Sequence, residues 1–284
     1  MQPVTDALVI GASGLVGGAL KQLAQARGLR VAGTYSSYPV DGLLPLDVGD
    51  ADAVRRVMLE TQPKTVYLTA ALTNVDLCER DPALSERVNV HAMRAVTNAA
   101  RDIGAKVVTF STDYVFDGAA GPYTEDATPN PLNVYGKHKL EAERIALEGD
   151  ALVLRTCGVY GAEVQGKNFV VRLIQGNRAG QTWRIPVDQY ANPTLASDLA
   201  RAALDGAHLS GVYHAAGATF LNRHAFALEI ARVFDLDTSR LEAVDTPSLN
   251  QAAPRPLRGG LTSARLEAAL GWQFSGLEGL QTLL

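Results

Sequence analysis

The stretch that most limits how this chain can fold is a short apolar run, Ala7 to Ile10, that passes directly into Gly11-Ala12-Ser13-Gly14-Leu15-Val16-Gly17. An amphipathic pattern follows, with Leu15, Ala19, Leu20, Leu23 and Ala26 on one side. Strand, glycine turn and helix in that order predict a βα unit. Glycines in such a turn have no Cβ to block a ligand, and the helix N-terminus supplies free N–H groups and positive potential, so the pattern predicts a pyrophosphate site. The plainer reading of the same residues is a tight turn that only packs a helix on a sheet.

The alternation continues. Strands are expected at residues 30–34, 43–46, 65–69 and 106–111, with helices at 50–61 and 82–103 between them. Strands separated by helices predict an α/β, doubly wound parallel sheet with right-handed crossovers. Asp47-Val48 and Ala70-Ala71 fall just past strand ends, on the edge where such sheets bind ligands, and are candidate adenine and ribose contacts. The second strand ends in Tyr35-Ser36-Ser37, where a site for NAD would carry an acid for the ribose 2′-hydroxyl. Without that acid a 2′-phosphate is not repelled, and Ser36 and Ser37 offer it hydroxyls. NADPH is the favoured cofactor, with NADH allowed.

Length fits one large domain with a lobe, or two sharing an interface, since 284 residues exceed the usual single domain. A formal net charge of -4 argues against a general nucleic-acid or anionic-membrane binder. Two cysteines, Cys78 and Cys157, give neither a disulfide framework nor zinc-ligand spacing. No catalytic metal is expected, and His214 and Trp183 read as core residues. Residues 1–6 show no basic, apolar leader, and no run approaches the roughly 20 apolar residues of a membrane helix, so the expected location is the cytoplasm.

Chemistry enters at Asn133-Val134-Tyr135-Gly136-Lys137-His138-Lys139-Leu140-Glu141. Tyr135 and Lys139 lie one helical turn apart on one face, so an ammonium can lower the phenol pKa and let it act as a general acid. Alone, the spacing usually means only a half-buried tyrosine beside a solvated lysine. At the end of the fifth strand stand Ser111 and Thr112, either of which can hydrogen-bond a substrate carbonyl; neighbouring strand residues face opposite ways, so one of the two is expected to face the cofactor.

The segments Gly11 to Gly17, Thr73 to Glu79, Ser111 to Gly118 and Asn133 to Glu143 together resemble the extended short-chain dehydrogenases/reductases, most closely the dTDP-4-dehydrorhamnose reductase family. Lys167-Asn168-Phe169, Asp188 to Thr194 and Arg255-Pro256 extend the resemblance over nearly the whole chain. It implies a Rossmann-like sheet over residues 1–161 and a smaller C-terminal substrate-binding lobe over 162–284, parts of which return to the sheet. It implies Thr112 as carbonyl partner, Tyr135 as proton donor, and Lys139 as the residue that holds the nicotinamide ribose and depresses the tyrosine pKa. Gly11, Ser13, Gly14, Leu15 and Val16 would hold the cofactor pyrophosphate. For a nucleotide-sugar substrate the lobe offers Lys167, Asn168, Arg172 and Arg255, of which family position favours Asn168 and Arg255.

Two departures bear on the substrate. Where the family often carries Ser-Trp-Val-Tyr, this chain reads Cys157-Gly158-Val159-Tyr160, and loss of an aromatic wall leaves room for a different or larger keto-sugar. Pro256-Leu257-Arg258-Gly259-Gly260 replaces a more polar run. The expected activity is an NADPH-preferring reduction of dTDP-4-dehydro-β-L-rhamnose. The rival reading is a non-catalytic regulatory protein similar to the methionine adenosyltransferase β-subunit, which shares the Tyr-Gly-Lys segment. A homodimer is compatible with the sequence, and the apolar stripe Leu277, Leu280, Leu283 and Leu284 must be covered somewhere.

Overall fold

A computed structural model describes residues 5–163 and 165–284, so the reading of residues 1–4 lies outside the described residues. The first half runs β1 (Ala7–Ile10), α1 (Leu15–Ala26), β2 (Val31–Tyr35), β3 (Leu44–Pro45), α2 (Ala51–Thr61), β4 (Thr65–Leu68), α3 (Val75–Arg80) and α4 (Pro82–Glu86). It continues through α5 (Ala92–Ile103), β5 (Lys106–Thr112), α6 (Val134–Ala146) and β6 (Ala151–Thr156). The second half is β7 (Val159–Tyr160), α7 (Phe169–Arg178), β8 (Trp183–Pro186), β9 (Tyr190–Ala191), β10 (Thr194–Leu195) and α8 (Ala196–Asp205). It closes with β11 (Gly211–His214), β12 (Leu221–Asn222), α9 (Arg223–Phe234), β13 (Leu241–Val244) and α10 (Ala264–Leu270).

Seven strands form one parallel sheet in the order β11-β6-β5-β4-β1-β2-β3. The strand order reverses between β1 and β4, which opens a crevice at their C-terminal ends, where ligands of such sheets bind. β1 is buried at every residue because helices cover both faces of the sheet. One face packs Leu8, Ile10, Val66, Val107 and Val153 against α2, α5 and α6. The other packs Val9, Tyr67, Val108 and Leu154 against residues of α1, α8 and α10. β11 brings the second half back into the sheet beside β6, and a separate core around Phe226, Ile230 and Leu173 builds the lobe.

Two helices differ from the expectation. α3 is a short extra helix, capped where the Asn74 side chain accepts from Leu77 N. The helix expected over 82–103 is interrupted by a π-turn at Arg87–His91. The extra residue turns Asn89 inward, where its amide bonds both the N–H and the C=O of Leu72 and the Ser85 hydroxyl. Such turns insert one residue into a helix where a side chain must be re-aimed.

Beneath the C-terminal edge of the sheet, Arg155 of β6 makes two parallel bonds to Glu143 of α6, at 2.9 and 2.7 Å, with both side chains almost fully buried. The C-terminal stripe docks on this chain: Leu280 is fully buried, and Leu277 and Leu283 pack against the lobe core. Leu284 stays 81% exposed.

Candidate active site

The crevice is a cleft of about 540 Å³ running from the N-terminus of α1 past the end of β4 to the end of β5 and the first turns of α6. Gly14, Leu15, Val16 and Gly17 line one end, Ala70 and Ala71 the middle, and Thr112, Tyr135 and Lys139 the other. The three residues expected to carry the chemistry therefore meet in one place, opposite the predicted pyrophosphate turn.

The turn's glycines divide by task. Gly11 has φ +94°, and a Cβ there would lie 2.8 Å from Ala70 N; a Cβ on Gly17 would lie 2.2 Å from Gly11 O. These two are required for close packing of turn, strand and helix. A Cβ on Gly14 would meet only Gly11 O, at 3.4 Å, and would stand in the cleft. Gly14 is also the N-cap of α1, with no side chain capping the first turn, so the helix N-terminus faces the cleft with its amides available to an anion. Gly11 and Ser13 lie behind that wall, and the Ser13 carbonyl accepts from Gln165 Nε2 at 2.7 Å.

At the other end, α6 begins at Asn133, whose side chain accepts from Gly136 N and donates to Pro254 O. Glu79 accepts from Val134 N, which explains part of the Thr73 to Glu79 segment: it seats the start of this helix. A Cβ on Gly136 would come within 2.2 Å of Tyr114 O, so glycine lets the helix close onto the segment after β5. Tyr135 is thereby buried edge-on to Tyr114. Burial pushes its phenol above the ordinary range, with the neighbouring Thr112 hydroxyl opposing. Lys139 is buried, donates to Phe110 O at 2.7 Å, and is pushed down to about 8 by burial, with the Glu143 carboxylate opposing.

In this arrangement the Lys139 ammonium is turned to a backbone carbonyl, and burial is the larger influence on the phenol. The phenol is a held proton at neutral pH.

Thr112 accepts from Tyr114 N at 3.2 Å and donates to Asp113 Oδ1 at 3.3 Å. Ser111 and Thr112 both line the cleft, at the C-terminal end of β5. The Ser111 hydroxyl, like that of Thr156, is buried with no partner among the described residues. Unpaired buried hydroxyls in a cleft wall suit a polar ligand that supplies the missing bonds.

Other expected contacts fall elsewhere. Ser36 and Ser37 are exposed beyond the end of β2. Asp47 is turned to Arg87, at 2.9 Å, and to Gly49 N. Val48 is packed in the sheet core, which leaves only its backbone for a ligand.

A second cleft, about 1000 Å³, adjoins the first through Thr73, Val75, Tyr114 and Lys167. Lys167, Arg172, Arg184, Arg223 and Arg255 line it. Arg255 is held by Asp76 at 2.9 Å and by Ala253 O, but among the described residues the other four form no ion pair. Arg223 was not singled out by the sequence. It is the first residue of α9, directly after the cap Asn222, and its guanidinium lies 4.0 Å from the centre of the Phe169 ring. Asn168 is committed as the cap of α7, accepting from Val171 N and donating to Gly161 O and Glu163. A third chamber of about 350 Å³ opens beside Cys157 and Gly158, walled by Tyr114, Phe169, Tyr190 and Phe226.

Among the described residues no helix is long and apolar enough to cross a membrane. A family model described as the RmlD substrate binding domain matches residues 5–279. A dTDP-4-dehydrorhamnose reductase of Streptomyces griseus is 35% identical over 285 residues, covering 96% of this chain and 89% of that protein. The methionine adenosyltransferase 2 subunit beta of Xenopus tropicalis is 30% identical over 276 residues, covering 93% and 82%. The crystal structure of a dTDP-4-dehydrorhamnose reductase from Bacillus anthracis str. Ames, in complex with NADP, superposes with a TM-score of 0.90 at 27% identity, covering 99% of both chains. With nearly its whole length matched, the chain belongs to the RmlD substrate binding domain family, that of the dTDP-4-dehydrorhamnose reductases.

Proposed function

We propose that this protein is an NADPH-preferring reductase of a nucleotide-linked 4-keto-6-deoxy sugar, with dTDP-4-dehydro-β-L-rhamnose as substrate and dTDP-β-L-rhamnose as product. The observation that carries the reading is the meeting of Thr112, Tyr135 and Lys139 at one end of a cleft whose other end is an uncapped helix N-terminus. When bound, NADPH supplies a hydride to the sugar C4.

The chain's own residues do the rest. Backbone amides at Leu15 and Val16 would hold the pyrophosphate beside the bare Cα of Gly14, whose own N–H is given to Gly11 O, and Lys139 would leave Phe110 O for the nicotinamide ribose. Tyr135, kept protonated by its burial, gives its proton to the C4 oxygen as negative charge builds there. The Thr112 hydroxyl holds that oxygen in line. Lys167, Arg172, Arg223 and Arg255 receive the diphosphate of the nucleotide sugar, and the chamber beside Gly158 admits a sugar bulkier than the leading substrate. The reading carries a cytoplasmic location and is compatible with a homodimer.

The similarity to a methionine adenosyltransferase β-subunit supports a second reading, a regulatory protein that binds NADP without turnover. One experiment separates them: NADPH oxidation followed by absorbance, with dTDP-4-dehydrorhamnose generated in situ, for the wild type and Tyr135→Phe. Turnover that falls by about 10²- to 10⁴-fold in the variant, with NADPH binding kept, is the expected result. NADPH binding without turnover of this or related keto-sugars sinks the catalytic reading.

A further inference from the structure

Asp113 is 3% exposed at the end of β5, directly after Thr112, and no cation pairs with it among the described residues. A buried carboxylate without a counter-charge is costly, and a neutral side chain of the same shape would cost less. What its two oxygens touch gives the reason for a charge. Oδ1 accepts the Thr112 hydroxyl proton at 3.3 Å, and Oδ2 accepts from Gly260 N at 3.1 Å.

The second contact is built from both sides. A Cβ on Gly259 would sit 2.6 Å from Oδ2, and one on Gly121 only 1.8 Å from Gly259 O. A Cβ on Gly118, at φ +73°, would lie 2.5 Å from Pro256 Cα. Gly121 N donates to Arg258 O, Arg258 N to Gly118 O, and Tyr123 N to Gly260 O. Three glycines thus allow Pro256 to Gly260 to lie flush on the segment after β5. The residue immediately before it is Arg255, which lines the cationic cleft.

We propose that Asp113 is a positioning residue that clamps the Pro256 to Gly260 segment, and with it Arg255, against the catalytic end of β5. The proposal rests on the reductase reading for the role of Arg255. An ionised carboxylate only accepts, so it fixes where the Gly260 N–H points. Burial pushes its pKa up to about 6, which leaves it charged at neutral pH.

An asparagine keeps the clamp, since its Oδ1 can still accept from Gly260 N. The test is hydrogen exchange of residues 255–261 without substrate, together with steady-state kinetics, on Asp113→Ala, Asp113→Asn and Gly259→Ala. In Asp113→Ala and Gly259→Ala, exchange of the segment accelerates by about tenfold or more, and KM for the nucleotide sugar rises by about as much while KM for NADPH holds. In Asp113→Asn the segment exchanges as in the wild type and KM for the nucleotide sugar is little changed. Unchanged exchange in both Asp113→Ala and Gly259→Ala overturns the clamp, and exchange in Asp113→Asn as fast as in Asp113→Ala overturns the Gly260 N–H bond as its basis. Should the wild type fail to turn over any keto-sugar, the reductase reading falls, and the exchange data still decide the clamp.

Discussion

Arg155→Met removes one half of the buried pair beneath the catalytic helix and leaves the Glu143 carboxylate without a partner. Both side chains are no more than 5% exposed, and two bonds of 2.9 and 2.7 Å are lost, along with the stacking of the guanidinium 5.1 Å from the Phe116 ring centre. Breaking such a pair costs about 3–5 kcal/mol, because the remaining charge stays in a poorly polarisable interior. Against a typical total of about 5–15 kcal/mol that is a large share, and in a chain of this size it lowers the thermal midpoint by on the order of 10 °C. Urea unfolding followed by circular dichroism reads the loss. The double variant Glu143→Met with Arg155→Met restores most of it, since apolar residues of similar volume replace a buried pair at little net cost. A single-variant loss under about 1 kcal/mol, or a double variant no more stable than Arg155→Met, would show that the pair is not buried and coupled as described.

Lys139 titrates near 8 in the fold against 10.5 in a free chain. Between those values the unfolded chain binds the extra proton, so stability rises with pH across this window, and Lys139→Met flattens that rise in pH-dependent unfolding. NADPH affinity moves the opposite way, falling above about pH 8 as the ammonium is lost; an affinity flat to pH 9.5 by fluorescence titration counts against Lys139 as a cofactor ligand. Arg223→Ala raises KM for the nucleotide sugar by about tenfold without changing KM for NADPH, an effect that shrinks with added salt. Asn168→Ala lowers stability by about 1 kcal/mol as a lost helix cap, and an unchanged melting midpoint argues against that role.

How much of this was written in the chain depends on whether the signal is local. β1, the glycine turn and α1 were legible because period and glycine placement sit within twenty residues, and Tyr135 and Lys139 because helical spacing alone brings them together. The meeting of Thr112 with them followed from its place at a strand end. Long-range packing decided the rest. Gly11 read as a ligand glycine, and its close packing on Ala70, which a Cβ would break, shows only in the fold. Asn168 read as a substrate contact from family position; that it also caps α7 beside the cleft shows only in the fold. Arg223 carried no motif, and only the fold sets it among the other cations of the second cleft. The direction of the Tyr135 shift was also hidden, because burial has no signature in a spacing of four residues.

The π-turn at Arg87–His91 gives this part of the chain one residue more than a plain helix needs. The turn absorbs that residue locally, so deleting one residue there would leave a continuous α-helix with α5 still set against the sheet. Met93, Val96 and Ala100 would keep their places in the core, while Asn89 would lose the aim that holds Leu72, beside the Ala70-Ala71 wall of the cofactor cleft. A single-codon deletion here would spare the core and loosen the cleft wall.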